Sequence, residues 1–174
     1  METQLTRVLV AYATRFGSTH EIAAAIVHEL NSAGLDAQAA EASSALSPDE
    51  YDAFVIGSPL YGGKWMGIAG MFAAITSDRI DGKPVALFSI GTLRVVNEEA
   101  GNTEHREFMA SLIEVAPNLN VVSDVLFNGY FERANLPWYL RIVDRFAPTP
   151  QGDHRDWSVI QSWAKSLVSE FNFE

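Results

Sequence analysis

The sequence predicts an α/β fold in which a five-stranded parallel sheet is covered by helices on both faces. Short apolar runs rich in β-branched residues, typical of strands buried on both sides, alternate with segments whose apolar residues have helical spacing. This alternation indicates parallel strands joined by right-handed crossovers. The 174 residues suffice for one complete core and show no second domain, so we predict a single domain over residues 1–174.

The first strand, the first helix and the second strand follow one another at the start of the chain. Residues 6–13 (TRVLVAYA) form a short apolar run. Apolar residues at helical spacing from Ile22 to Ala33 mark the helix, and Gly34 follows where a C-terminal cap belongs. Residues 35–40 (LDAQAA) alternate only weakly, which favours a strand at the edge of the sheet.

The clearest central strand is residues 52–59 (DAFVIGSP). Before it, residues 47–50 (SPDE) combine an N-cap serine, a proline at the first helical position and a glutamate that completes a capping box. These features predict a turn of helix. A helix follows the strand, and its predicted apolar face consists of Ile68, Met71, Phe72 and Ile75.

Two further strands are predicted at residues 84–91 (PVALFSIG) and 120–127 (NVVSDVLF). The helix between them has Phe108, Leu112 and Val115 at helical spacing. The last helix has five residues on one side, namely Trp157, Ile160, Ala164, Leu167 and Phe171. Five strands with an edge-like second strand fit the spatial order 2-1-3-4-5, which binds ligands at the carboxyl ends of the strands.

The end of the first strand, residues 13–19 (ATRFGST), predicts an anion site. A helix start exposes unpaired amide groups and carries about half a positive charge. Thr14, Ser18 and Thr19 add hydroxyl groups, and Gly17 lets the backbone approach a ligand closely. The sequence therefore predicts a phosphate cradle without a lysine, and the alternative is that Ser18 only caps the helix.

The end of the third strand, residues 57–65 (GSPLYGGKW), predicts a site for a planar ligand. Tyr61 is a large flat ring that is costly to leave uncovered in a loop. Gly62 and Gly63 can change backbone conformation cheaply, so a peptide group here can present either its carbonyl or its amide. The alternative is an ordinary type II turn packed beneath a helix.

Together with the end of the fourth strand, these loops resemble those of the flavodoxin family, over nearly the whole chain. The resemblance implies a flavodoxin-like three-layer sandwich that transfers electrons through bound FMN. It implies phosphate contacts at Thr14, Arg15, Phe16, Gly17, Ser18 and Thr19. It implies ring contacts at Ser58, Pro59, Leu60, Tyr61, Gly62 and Gly63, and contacts to the pyrimidine edge at Gly91, Thr92, Leu93 and Arg94.

The chain also departs from the family pattern. Phe16 stands where many members have a hydroxyl residue, and residues 91–96 (GTLRVV) contain no second aromatic residue to cover the flavin. One flavin face is then open to a second reactant or closed by another segment. Arg94 either lies near the flavin N1/O2 edge or is an exposed residue paired with Glu98 or Glu99. No side chain is predicted to be a general acid or base.

Residues 128–153 form a predicted insert before the last helix. Pro137 opens a short helix with Trp138, Ile142 and Phe146 on one face. The insert and the following GDHRDW segment resemble the menaquinone-dependent protoporphyrinogen oxidases, which pass electrons from a porphyrinogen to a quinone and associate with the membrane.

Three arginines of the insert, Arg133, Arg141 and Arg145, have two interpretations. They meet propionates or lipid headgroups, or they form a solvated face with Glu132 and Asp144. The first interpretation favours the oxidase, and the second leaves a simple electron carrier with a protein or quinone partner.

The sequence also bears on three other functions. A flavin-dependent NAD(P)H:quinone reductase stays open, as does a flavin-free interaction module. A response-regulator receiver shares the strand order but needs acids where this chain has Ala13, Thr14 and Ser58.

The amino-acid composition excludes or disfavours several classes of chemistry and of binding partner. The chain has no cysteine, which excludes disulfides, thiolate nucleophiles and iron–sulfur ligation, and its four scattered histidines predict no metal site. A net charge of −10 disfavours nucleic acid as a partner. The first apolar run is too short for a membrane span and contains Arg7, so we expect a cytoplasmic protein with at most peripheral contact at the inner face of the membrane.

Overall fold

The fold is taken from a computed structural model, which describes residues 6–43, 47–146 and 149–172. Its strands are β1 (Arg7–Tyr12), β2 (Asp36–Glu41), β3 (Ala53–Tyr61), β4 (Lys64–Trp65), β5 (Pro84–Gly91), β6 (Asn120–Asn128), β7 (Tyr130–Phe131) and β8 (Gly152–Asp153). Its helices are α1 (Ser18–Ser32), α2 (Gly67–Arg79), α3 (Leu93–Val96), α4 (Glu98–Val115), α5 (Trp138–Asp144) and α6 (Trp157–Glu170). Two single 3₁₀ turns occupy Pro48–Glu50 and Arg133–Asn135.

Five parallel strands make the sheet, in the order β2-β1-β3-β5-β6. This is the predicted 2-1-3-4-5 order, with β2 at one edge as expected. The short strand β4 adds an antiparallel partner to the end of β3, and β7 pairs with β8 in a separate two-stranded ribbon. Neither β4 nor the β7-β8 ribbon belongs to the regular alternation of strands and helices. The periodicity of apolar residues in the sequence therefore does not predict these short strands.

Two apolar layers hold helices against the two faces of the sheet. Alternate residues of β1 point to opposite faces, with Val10 in one layer and Leu9 in the other. The helices α1 and α6 bury Ile26 and Leu167 in the first layer, while α2 and α4 bury apolar side chains such as Phe72 in the second. Each such side chain stabilises the fold by about 1.5–3 kcal/mol.

The first helix begins and ends at glycines in the left-handed region. Gly17 precedes α1 with φ of 90°, and Gly34 follows it with φ of 92°. The amide of Leu35 donates to the carbonyl of Leu30 over the helix end, which is the cap predicted for this glycine. The two glycines therefore set where the chain leaves β1 and where it enters β2.

Two helices bury only part of the predicted stripe, with Phe72 of α2 and Phe108 and Leu112 of α4 buried as predicted. In α2, Ala69, Ala73 and Thr76 face the core beside Phe72, whereas Met71 is exposed. Most positions around this helix are apolar, so the periodicity of the sequence does not select one face. The face with the smaller side chains packs on the sheet because it lets the helix lie closer to the strands. In α4, Val115 is 64% exposed.

The histidine at position 105 replaces an apolar residue in the buried stripe of α4. Its Nε2 lies 2.9 Å from the carboxylate of Asp124 on β6. The turn at Pro48–Glu50 also lacks the predicted capping box, because the side chain of Ser47 accepts no hydrogen bond from an amide of the turn. The hydroxyl of Ser47 instead contacts Asp49 at 3.3 Å, and the carboxylate of Glu50 lies 3.5 Å from Arg7.

Between β6 and α6, the chain forms a projecting arm, defined here as residues 129–146 and 149–153. It contains the ribbon β7-β8, the second 3₁₀ turn and α5. Residue Tyr130 pairs with Asp153, and Phe131 pairs with Gly152. The ribbon brings both ends of the arm back to the same edge of the main sheet.

Candidate functional site

A cavity of about 380 Å³ lies at the carboxyl ends of β1, β3 and β5. Seven of the residues predicted for a cofactor line it, namely Arg15, Phe16, Ser18, Pro59, Leu60, Tyr61 and Thr92. They come from all three predicted loops, because parallel strands end at the same edge of a sheet. The structure therefore brings the three loops together around one space.

The start of α1 forms one end of the cavity. Gly17 donates its amide proton to the hydroxyl oxygen of Thr14 at 3.0 Å, which closes the turn before the helix. Ser18 lines the cavity at the first helical position. The amides of this first turn have no partner within the helix, so they are available to an anion.

Thr19 carries a polar atom that the protein leaves unsatisfied. The residue is 1% exposed, and its Oγ1 has no hydrogen-bond partner among the described residues. A buried hydroxyl without a partner costs about 1–3 kcal/mol. This hydroxyl therefore keeps an unused donor next to Ser18 in the first turn of α1, although the side chain of Thr19 does not itself line the cavity.

The loop after β3 is a tight hairpin leading into β4. Gly62 and Gly63 have φ of 55° and 73°, which is the pattern of a type I′ turn and not of the type II turn considered as the alternative. Ser58 does not line the cavity. Its buried hydroxyl donates to the carbonyl of Pro59 and accepts the amide proton of Met66, both at 3.0 Å, and so fixes the hairpin.

Tyr61 presents its ring to the cavity and is 47% exposed. The surrounding protein raises the pKa of the Tyr61 hydroxyl because it disfavours the charged form, and the nearby positive charge of Arg15 opposes this shift. The guanidinium of Arg15 also lies 5.5 Å from the ring centre of Phe16. This end of the cavity therefore combines two aromatic rings with one cation.

The loop after β5 contributes less than predicted. Thr92 lines the cavity, but Gly91 lies within β5, and Leu93 and Arg94 begin α3. The guanidinium of Arg94 donates to the carbonyl of Leu126 at 2.8 Å and to the carboxylate of Glu98 at 3.2 Å. The structure thus matches the alternative interpretation, in which this arginine pairs with Glu98.

The arm forms another part of the cavity wall, and the sequence did not identify its residues as part of the site. Its contribution consists of Gly129, Tyr130, Phe131, Leu136, Leu140, Asp144 and Thr149, and Ile90 of β5 lies beneath them. The aromatic content of the insert was the available signal. The periodicity of apolar residues does not predict the path of an irregular segment. It therefore did not show that the arm borders the same cavity as the three loops.

The charged residues of the arm mostly hold the arm together. Arg133 lies 3.4 Å from the buried carboxylate of Asp144, which also accepts the amide proton of Thr149 at 2.8 Å. Arg141 donates to the carbonyls of Leu136 and Ala134 at 2.8 and 2.7 Å. These two guanidinium groups are therefore engaged within the arm, as in the interpretation that groups these arginines with Asp144.

The model of the flavodoxin domain family matches residues 9–148. No curated protein sequence is significantly similar to the chain. In the part of the chain that the structure describes, no helix combines the length and apolar character required to cross a membrane.

Solved structures with the same fold are distant in sequence. A flavodoxin from Streptococcus pneumoniae TIGR4 is 16% identical, with a TM-score of 0.62 over 95% of this chain and 99% of that one. A short-chain flavodoxin associated with a PDU bacterial microcompartment is 15% identical, with a TM-score of 0.63 over 97% and 100%. The rubredoxin oxygen:oxidoreductase of Desulfovibrio gigas is 13% identical, with a TM-score of 0.57 over 98% of this chain and 38% of that one.

Proposed function

Because the chain belongs to the flavodoxin domain family, we propose that it binds FMN in the cavity and transfers electrons through the bound flavin. The observation that carries this proposal is one cavity lined both by Ser18 at the start of α1 and by the ring of Tyr61, with the buried, unsatisfied hydroxyl of Thr19 next to Ser18 in the same helical turn. A phosphate group fits the first feature and a flat ring system fits the second. We take residues 1–174 as one domain, with the arm as its insert.

The phosphate half of the ligand is assigned to the first turn of α1. Its free amides and the hydroxyls of Ser18 and Thr19 are donors, and Arg15 supplies a positive charge at the cavity wall. The hydroxyl of Thr14 already accepts the amide proton of Gly17, so its own proton is free to point to another acceptor.

The ring half is assigned to the loops after β3 and β5. Tyr61 supplies a flat apolar surface, and Pro59 and Thr92 border the same space. Gly62, with its positive φ, permits the hairpin backbone to turn an amide or a carbonyl towards the ligand. When bound, the flavin supplies the redox chemistry, and these residues orient it and exclude water.

The assignment predicts the effect of one hydroxyl group. Thr19→Val removes the hydroxyl with little change in shape and should weaken FMN binding by about 1–3 kcal/mol. Thr76→Val is the matched control, because Thr76 is also buried with an unsatisfied hydroxyl but belongs to α2 and not to the first turn of α1. Titration of the purified protein with FMN, followed by flavin fluorescence, measures both. Wild-type protein that does not bind FMN would contradict the proposed function.

A second candidate is an FMN-dependent oxidoreductase of the protoporphyrinogen oxidase type, or an NAD(P)H:quinone reductase. The observation that favours it is the arm, which adds an apolar wall to the cavity and carries an exposed face with Trp138, Ile142 and Phe146, the last 84% exposed. Such a face suits a quinone or peripheral contact with the inner face of the membrane, and the rest of the protein would lie in the cytoplasm.

Turnover separates the candidates. FMN-loaded protein is mixed in one reaction with protoporphyrinogen IX and menaquinone, and in another with NADPH and menaquinone. Catalytic formation of porphyrin supports the oxidase, and NADPH consumption supports the reductase. Repeated reduction by a ferredoxin-linked reductase, without turnover in either mixture, supports the electron carrier.

A further inference from the structure

Arg155 contacts the arm, α1 and α6, and the first two of these also line the cavity. It lies between β8 and α6, and its side chain is only 8% exposed. Its Nε and Nη2 donate to the carboxylate of Asp153 at 2.8 and 2.7 Å, and its Nη1 donates to the carboxylate of Glu21 at 2.5 Å. All the directed bonds of this guanidinium therefore end on two acids.

The same guanidinium also packs over two aromatic rings. Its central carbon lies 5.7 Å from the ring centre of Tyr130 in β7 and 4.7 Å from that of Trp157 at the start of α6. Tyr130 lines the cavity from the arm. Arg155 thus contacts a wall residue of the cavity on one side and α1 on the other.

The ion pair between Arg155 and Glu21 lies close to the proposed anion site. Glu21 lies in the first turn of α1, three residues after Ser18, which lines the cavity. A carboxylate there favours the helix, because the N-terminus carries partial positive charge. It also repels any anion that binds the same helix end, and a guanidinium paired with the carboxylate cancels that repulsion.

We propose that Arg155 is a positioning residue for the anion half of the ligand, which neutralises Glu21 and so lets the start of α1 accept a phosphate dianion. This inference rests on the proposed binding of FMN. Within the group formed by Glu21, Asp153 and Arg155, the formal charge is −1, from two acids and one base. Removal of the guanidinium charge makes this formal charge −2, within about one helical turn of the anion site.

Riboflavin provides the discriminating probe, because it has the same ring system as FMN but no phosphate. Arg155→Gln should weaken FMN binding by about three- to tenfold, the range expected for one charge near a helix end, and leave riboflavin binding unchanged. Glu21→Gln in the Arg155→Gln background should restore most of the FMN affinity. The loss should also shrink as the salt concentration rises.

A control variant separates charge from the support of the arm. Arg141→Gln loses contacts within the arm but removes no partner of Glu21, so it should leave the ratio of the FMN and riboflavin dissociation constants unchanged. If Arg155→Gln does not fold, Arg155→Lys keeps the charge and should also keep the wild-type ratio.

Two results would overturn the inference. In the first, Arg155→Gln weakens the binding of FMN and of riboflavin equally. Arg155 would then act only by holding the arm in place. In the second, FMN affinity does not change, or Glu21→Gln fails to restore it. Failure of the proposed function is distinguishable, because wild-type protein would then bind neither ligand.

Discussion

The two walls of the cavity are held in different ways. The loop wall continues from β1, β3 and β5, whose backbone hydrogen bonds and buried side chains belong to the main sheet. The arm wall depends on side-chain contacts, such as Arg133 with Asp144 and Arg155 with Glu21. Regions held by few buried apolar contacts open with less free energy than the core. We therefore expect the loop wall to unfold only together with the whole protein. The arm should unfold locally while the rest of the fold stays intact.

The strongest test of the loop wall is Gly57→Ala in β3. A Cβ atom at this position would lie 1.9 Å from the ring of Phe88, which is fully buried in β5. Because this ring also packs against Phe127 and Trp163, it has no free space to move into, and we expect a loss of about 3 kcal/mol in the free energy of unfolding. Chemical denaturation followed by circular dichroism measures this loss.

The matched control for that substitution is Gly67→Ala at the start of α2. Nothing lies within 4 Å of its Cβ position. Alanine should therefore stabilise the protein there, by about 0.5–1 kcal/mol. Equal effects of the two substitutions would contradict the packing described for β3 and β5.

The corresponding test of the arm is Asp144→Ala. The carboxylate is buried, so its removal leaves Arg133 without its partner and the amide of Thr149 without its acceptor. We expect local destabilisation of about 1–2 kcal/mol, less than for a fully buried pair because Arg133 is partly exposed. Hydrogen exchange should increase in the arm and stay unchanged in β3 and β5.

An exposed ion pair serves as the control for Asp144. Asp49→Asn removes the contact between Asp49 and Arg79, both of which are largely exposed. It should change the free energy of unfolding by less than about 1 kcal/mol and leave the arm unaffected. If Asp144→Ala instead accelerates exchange throughout the sheet, the arm and the sheet form one cooperative unit.

The same difference explains what the sequence could predict. The five parallel strands and their order follow from local patterns, because a buried strand such as residues 84–91 needs an apolar run whatever its neighbours are. The start of α1 was predictable for a similar reason, since Gly17 and the hydroxyl residues act within one turn. The hairpin after β3 is also local, although its turn type depends on both glycines.

The arm wall was not predictable in this way. Tyr130 contacts Arg155, which lies 25 positions further along the chain and is itself bound to Glu21 in α1. The orientation of Arg94 likewise depends on the carbonyl of Leu126 in a neighbouring strand. Contacts between residues far apart in sequence leave no period and no spacing, so one sequence alone contains no signal for them.

Lowering the pH should also destabilise the arm and the main sheet to different extents, but this difference should be smaller than the effects of the substitutions above. Hydrogen bonds from Arg155 lower the pKa of Asp153 in the arm, and the hydrogen bond with His105 lowers the pKa of Asp124 in β6. Each carboxylate is more acidic in the folded protein than its usual value of 3.8. Its contribution to stability is therefore complete above that pH and is lost as the pH falls through the lowered pKa.

We expect the arm to loosen over this acid range while the sheet stays folded, because the sheet keeps its apolar layers when Asp124 is protonated. Fluorescence of Trp157, which packs against Arg155, should change before the circular dichroism signal does. Asp124→Asn should remove part of the acid dependence of global unfolding, by less than about 1 kcal/mol because the carboxylate is half exposed. Asp153→Asn should shift only the fluorescence transition. A single acid transition for both signals, shifted equally by both substitutions, would show that the two walls are not held independently.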